Sequence, residues 1–125
     1  MNPTIKNNYT TAGNNGMRIC TLGNGKYIAL RFTAVRVTGD QGCSVTIIAG
    51  KHSSASNLFR CVICGEAANI TFYTDNNSIY AYCPSAYYDC SLEVLTGDGL
   101  DVSMIPNFVS TSYSTITIGK VYTQS

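Results

Sequence analysis

"CVICGE", Cys61 to Glu66, is the stretch on which the fold turns. Two thiols three positions apart are either half of a metal site or two small apolar residues in a strand, and the wider cysteine pattern weighs between them. After Cys64 come eighteen residues, then Cys83, six more, then Cys90. The first pair and the gap come near a four-thiolate zinc pattern, but the second pair is too widely spaced, since zinc-ribbon pairs are about two to four residues apart. His52, the single histidine, is the imidazole that could stand in for a ligand. Alternation along a strand puts Cys61 with Phe59 and Ile63 on one face and Cys64 with Val62 on the other, so the thiols diverge. A redox dithiol would need a helix after the pair, and none is signalled. The segment therefore reads as a strand. Its cysteines, and those at Cys20, Cys43, Cys83 and Cys90, are expected as core thiols in preference to a zinc site or disulfides.

Working outward, short apolar runs recur between clusters of Gly, Asn, Asp and Ser. They are "MRICTL", "YIALRFTAVRV", "CSVTIIA", "LFRCVIC", "NITFYT", "SIYAYC", "SLEVLT", "LDVSMI" and "STITIGKVYT". No helical period lasts, so the fold class is all-β: an antiparallel β-sandwich, jelly-roll-like, of about eight to nine strands. In "YIALRFTAVRV", Tyr27 to Val37, the residues Ile28, Leu30, Phe32 and Ala34 share one face. Val35 and Val37 then shift the apolar phase, and a β-bulge near Ala34 would explain the shift. "GNG", "TGDQG", "TDNNS" and "TGDG" supply turn residues that tolerate positive φ. The polar opening "MNPTIKNNYTTAGNN", residues 1–15, reads as an arm or linker, leaving 16–125 as one domain. That length buries roughly 65–70% of its unfolded surface without staples.

Charged residues are 12% of the 125, and the formal net charge is +1 with its eight Lys and Arg scattered. No basic stripe tracks a phosphate backbone, so nucleic acid is not an expected partner. No apolar run is long enough to cross a bilayer as a helix, and "MNPTIKNNYT" lacks the basic and apolar regions of a secretory signal. Membrane insertion is not expected, and reduced thiols are. The sequons at Asn8, Asn69 and Asn76 follow from an Asn- and Thr-rich composition and would matter only in a secreted protein.

Catalytic signals are weak. His52 has serine neighbours in "GKHSSASN", yet triad members come from separate parts of a fold. Asp98 and Asp101 in "TGDGLDV" are too few to hold Ca²⁺ and suit a turn. "GNGK" lacks the spacing of a phosphate loop and precedes a strand. The chain is expected not to be an enzyme and to need no cofactor or metal.

The tyrosines carry more. There are nine and no Trp, and "SIYAYCPSAYYDC", Ser78 to Cys90, holds four. If Ile79, Ala81 and Cys83 face the core, Tyr80 and Tyr82 point outward and would serve a subunit interface. The plainer alternative packs these rings beneath neighbouring loops.

"NNGMRICTLGNGKYIALRFTAVRV", "CSVTIIAG", "NITFYTDNNSIYAYCPSAYYDCSLEVLTGDG" and "STITIGK" together resemble the receptor-binding head domains at the tips of bacteriophage tail fibres and related prophage proteins. In those, a segment of the form GxRI, here Gly16 to Ile19, leads into a long strand and a jelly-roll or similar sandwich. The resemblance implies a homotrimer, a fibre shaft before the arm, and synthesis in the host cytoplasm for assembly at the virion tail-fibre tip. It also implies distal loops that bind a bacterial surface glycan or protein. It supplies no fixed set of binding residues. The residues themselves suggest the loops "GKHSSASN" and "CPSAYYDC", with Tyr87 and Tyr88 as stacking platforms and His52, Asn57 and Asp89 as hydrogen-bonding groups. Alternatives are a zinc-stabilised β interaction module, a secreted carbohydrate-binding module, or a small hydrolase pairing His52 with a carboxylate.

Overall fold

Buried and outward residues alternate along Tyr27–Arg36 without a break, and this strand organises the rest. In the computed structural model Ile28, Leu30, Phe32 and Ala34 are buried while Tyr27, Arg31 and Val35 are exposed. The structure describes residues 9–11, 15–36, 42–53, 58–67, 69–84, 88–97, 101–106 and 113–124, with backbone alone for 9–11, 15 and 101–106. These contain eleven strands and no helix. They are β1 (Tyr9–Thr11), β2 (Asn15–Thr21), β3 (Tyr27–Arg36), β4 (Gly42–Lys51), β5 (Phe59–Glu66) and β6 (Thr71–Thr74). β7 (Ser78–Cys83), β8 (Tyr88–Gly97), β9 (Asp101–Pro106), β10 (Ser114–Ile116) and β11 (Tyr122–Thr123) follow.

They form two antiparallel sheets, ordered β1-β8-β3-β4-β5-β11 and β10-β6-β7-β2-β9. This is the expected all-β sandwich, with three strands of two or three residues added at sheet edges. β2 pairs with β9 in one sheet and β3 with β8 in the other, a nested pairing of the jelly-roll kind. The consecutive meander β3–β4–β5 departs from pure Greek-key winding.

The core lies between the sheets. Phe32 of β3 meets Phe72 of β6 edge-on, ring centroids 5.9 Å apart at 88°. Ile47, Ile63, Leu92, Met17, Ile19 and Ile79 fill the space around them. Each fully buried side chain of this size contributes about 1.5–3 kcal/mol relative to exposure. Cys61 is buried with Phe59 and Ile63, and Cys64 is exposed, so the two thiols of "CVICGE" do point to opposite faces. Cys20, Cys43, Cys83 and Cys90 are also buried and unbridged.

Three local expectations change. No bulge occurs at Ala34, which stays in register with Cys43 and Cys90. Val35 simply stands on the outer face, 51% exposed. The irregularity lies at Ala29/Leu30, opposite Thr96 and Val94, so that Leu95 is the extra residue on β8. Residues 9–11 of the polar arm pair with Cys90, Asp89 and Tyr88 as an edge strand. The run "STITIGKVYT" splits, because β10 joins β6 in one sheet and β11 joins β5 in the other. Gly119, at φ 83°, lies in the crossing between them, and its N–H donates to the Ile63 carbonyl at 2.8 Å.

Candidate functional site

Strand direction decides which loops are neighbours. Tyr27 opens β3 opposite Gly50 near the end of β4, and Gly50 lies opposite Arg60 near the start of β5. Backbone bonds tie this corner together: Gly25 N to Lys51 O at 2.7 Å, Lys51 N to Lys26 O at 2.9 Å, and His52 N to Leu58 O at 2.8 Å. Glycine permits the first of these turns, since Gly25 stands at φ 75° in "GNG". The β6–β7 turn joins the same end through Leu22 N to Asn77 O at 2.8 Å.

That turn is set by "TDNNS". The Asp75 carboxylate accepts from the N–H groups of Asn77 and Ser78 at 2.9 and 2.7 Å. Thr74 Oγ1 accepts from Asn76 N at 3.0 Å and donates to Ser78 O at 2.7 Å, while Asn76 takes φ 73°. Two side chains from the opposite sheet dock onto it. Lys51 Nζ donates to Asn77 Oδ1 and, at 3.4 Å, to Asn76 O, and the Tyr122 hydroxyl donates to Asn76 Oδ1 at 2.9 Å.

An open groove of about 620 Å³ results, lined by Gly25, Lys26, Tyr27, Gly50, Lys51, His52, Ser53, Leu58 and Arg60. Its volume is within the range of roughly 300–1,000 Å³ common for small-ligand sites. Tyr27 is 57% exposed, so its ring offers a face. None of the described lining residues is a carboxylate. A smaller apolar depression of about 270 Å³ adjoins it, sharing Tyr27, Gly50 and Arg60 and adding Ile48, Val62 and Val121.

Of the residues singled out in the sequence, His52 lies at this groove and is exposed. Asn57 and Tyr87 lie outside the described residues. Tyr88 opens β8 opposite Arg36, at the far end of β3. Nine residue steps of β3 separate the two ends, about 30 Å at strand rise. The loops holding His52 and Tyr88 therefore do not share one end, and the composite site drawn from them is corrected. Tyr88 is also fully buried, its hydroxyl donating to Asn69 Oδ1 at 2.5 Å, so it offers no stacking face. Burial is the main cause pushing its phenol pKa up. Asp89 is exposed on the outer face of β8, paired with Val35, at that same far end.

Ile79, Ala81 and Cys83 do belong to the core, which turns Tyr80 and Tyr82 to the other face of β7. The expected exposed row is nevertheless corrected. Tyr80 is only 5% exposed because Tyr113 stacks on it at 4.8 Å, and its hydroxyl donates to Asp75 Oδ2 at 3.2 Å. Desolvation first, then the Tyr113 hydroxyl and the Asp75 carboxylate, push the Tyr80 phenol well above its usual range. Tyr82 is half-buried. The plainer packing reading holds for Tyr80, and its ring is no longer an argument for a subunit interface.

Sequence reasoning missed Lys26, Tyr27, Lys51 and Arg60 as a group. They come from three separate strand ends that register brings to one corner. A usable signal was present in the two Gly-Lys pairs, Gly25-Lys26 and Gly50-Lys51, at the facing ends of a hairpin.

The chemistry open to the other nucleophiles is limited. Burial first, then the neighbouring thiols Cys83 and Cys20, push Cys43 and Cys61 up to about 12, and Cys90 is raised by its hydrogen bond with Cys83 and by burial. Thiols held protonated are poor nucleophiles and poor metal ligands. Among the described residues, no three or more His, Cys, Asp or Glu side chains are placed to hold a metal ion. Compared with known proteins, the chain matches no family model, no curated protein and no solved structure.

Proposed function

We propose that the chain is a receptor-binding domain of the tail-fibre-tip kind, acting by adhesion rather than catalysis. It takes a group on the bacterial surface into the groove at Tyr27, Lys51 and His52. The observation that carries the reading is the groove itself: an open depression with an exposed aromatic ring and several hydrogen-bonding side chains. Backbone bonds between strand ends frame it on a rigid sandwich. Loops and strand ends on such a scaffold can vary without disturbing the core, which is where recognition tends to reside. Assembly as a homotrimer at the fibre tip is part of the proposal and rests on the sequence resemblance alone.

Adsorption of labelled protein to bacterial cells tests it. Tyr27→Ala should weaken adsorption by about tenfold, equivalent to about 1.4 kcal/mol, without changing the melting temperature. Gly50→Phe is a second probe. A Cβ there meets Tyr27 Cβ at 3.8 Å and Lys26 O at 3.9 Å, ordinary contacts, so the ring would occupy the groove floor. Adsorption that survives both changes would place the receptor site elsewhere, and failure of the parent protein to adsorb would remove adhesion as the function.

A further inference from the structure

The groove makes no use of the cysteines, and strand register sorts which of them can meet. Within one sheet no two can. Cys90, Ala34 and Cys43 stand in one row across β8, β3 and β4, so two strand spacings, about 9.6 Å, separate the cysteines, beyond the Cα limit of about 6.8 Å for a disulfide. Cys61 lies opposite Ala49, six residues along β4 from Cys43, or about 20 Å at strand rise. It is also three strands from Cys90, about 14 Å at strand spacing. On the other sheet Cys20 lies opposite Ile79, four residues along β7 from Cys83 and about 13 Å away. Cys64 is turned to the outer face. Only pairing between the sheets, across the core, remains.

Position along the strands then selects partners. Cys20 and Cys61 lie toward the groove end, since Leu22 N donates to Asn77 O there and Arg60, next to Cys61, stands in the row of Gly50 and Tyr27. Cys83 closes β7 at the opposite end. Cys90 is the third residue of β8, where the chain has just crossed from one sheet to the other. The sheets touch at this level: the hydroxyl of Tyr88, two residues before Cys90, donates at 2.5 Å to Asn69 Oδ1, just ahead of β6 on the sheet that holds Cys83. Cys83 and Cys90 are both buried in the core, and their thiols share a hydrogen bond, so the sulfurs are in contact across the sandwich. Cys43 is the third thiol of this cluster. Six residues lie between Cys83 and Cys90, so the loop that a bridge would close is short and costs little entropy to close.

We infer that Cys83 and Cys90 are a disulfide-forming pair: when the chain folds in the presence of a small-molecule disulfide, they close a bridge that staples the two sheets together at the end opposite the groove. One protein thiolate attacks the small disulfide and releases one small thiol. The second attacks the protein sulfur of the resulting mixed disulfide and releases the other. The pair loses two protons and two electrons, and the small disulfide is reduced to two thiols. In the folded chain both sulfurs are closed off from reagents, so bridging belongs to folding, and a chain folded under reducing conditions keeps its thiols. The inference is independent of the adhesion reading.

The test refolds the full chain from guanidinium near neutral to mildly alkaline pH, in parallel with a mixture of glutathione disulfide and glutathione or with dithiothreitol. After free thiols are blocked, peptide mapping of the oxidatively refolded protein should find a predominant bridge between Cys83 and Cys90. The bridged protein should show a guanidinium midpoint about 0.5–1 M above that of the reduced protein. Cys90→Ala should remove both the bridge and the shift, whereas Cys43→Ala, which deletes the third thiol of the cluster, should keep both. Glutathione disulfide added to protein already folded in dithiothreitol and desalted should react at the exposed Cys64 and leave Cys83 and Cys90 as thiols over the time in which refolding makes the bridge. No bridge after oxidative refolding, a predominant bridge between any other two cysteines, or a bridged form with a lowered midpoint would overturn the inference. Bridging of the folded protein as fast as in refolding would overturn its coupling to folding. Failure of bridged and reduced protein alike to adsorb to cells would count against the adhesion reading and leave this inference standing.

Discussion

Raising the pH above 9 should unfold this protein through its core thiols, and the size of the effect can be worked out. Cys43 and Cys61 are almost inaccessible to solvent, 2% and 1% exposed, and both are pushed from the usual 9.0 up to about 12. In the unfolded chain they ionise near 9; in the folded chain they stay protonated. Between those values the native state binds more protons than the unfolded state, so stability falls as pH rises. Each thiol contributes a slope of about −1.4 kcal/mol per pH unit, or roughly 2 kcal/mol lost per thiol by pH 10.5. The two together remove about 4 kcal/mol, a large share of a stability that is typically 5–15 kcal/mol. Cys90, Tyr88 and Tyr80 are shifted in the same direction and steepen the fall. The assay is guanidinium unfolding under reducing conditions at half-unit steps from pH 8 to 10.5. The control is a Cys43→Ala, Cys61→Ala double variant, which should be less stable at pH 8 by about 1 kcal/mol per site for the lost packing. With a shallower alkaline slope it should overtake the parent near pH 10. Parallel curves for the two proteins across pH 9 to 10.5 would refute the reasoning.

Two further outcomes follow from the same strand. In native protein at pH 8 a small disulfide reagent should label one thiol per chain, Cys64, which alone is exposed, and all six after denaturation. Rapid native labelling of more than one would mean that the five core thiols open readily to solvent. Gly65, next in the chain, has φ 134°, and a Cβ there would lie 2.2 Å from Ser44 O, whereas one at Gly119, φ 83°, meets nothing within 4 Å. Gly65→Ala should cost about 3 kcal/mol or more in denaturant titration, against about 1–2 kcal/mol for Gly119→Ala. Equal costs would show that the clash is relieved by strand movement.

What could be read ahead of the structure was whatever depends on alternation along one strand. "SIYAYC" spans the same residues as β7, and the divergence of Cys61 and Cys64 follows from their spacing. What could not be read depends on partners brought from elsewhere. Tyr80 faces away from the core as its neighbours require, yet Tyr113, thirty-three positions on, covers it. Val35 suggested a bulge because an apolar residue was assumed to be buried, and the outer face of β3 simply carries it in water. The groove was half-seen through His52. Tyr27 and Arg60 become neighbours only when Tyr27, Gly50 and Arg60 fall in one row across three strands, and no local pattern announces that row. The pairing of His52 with Tyr88 failed for the converse reason: one loop is polar and the other aromatic, a complementary pair in sequence, but β3 runs the length of the sandwich between them.

The nested pairing of β2 with β9 sets a timetable for synthesis. Met17 is bracketed by Ala81 on β7 and Pro106 on β9, the latter 89 positions later. At ribosomal rates of about 5–20 residues per second, β2 waits roughly 4–18 s for that second neighbour. Its buried residues Met17, Ile19 and Cys20 have no complete home until then. The β3–β4–β5 meander needs no such delay, since each strand pairs with the next to emerge. The β3–β4–β5 corner that frames the groove can therefore form early, and β9 later completes the ladder of β2 as an edge strand of the second sheet.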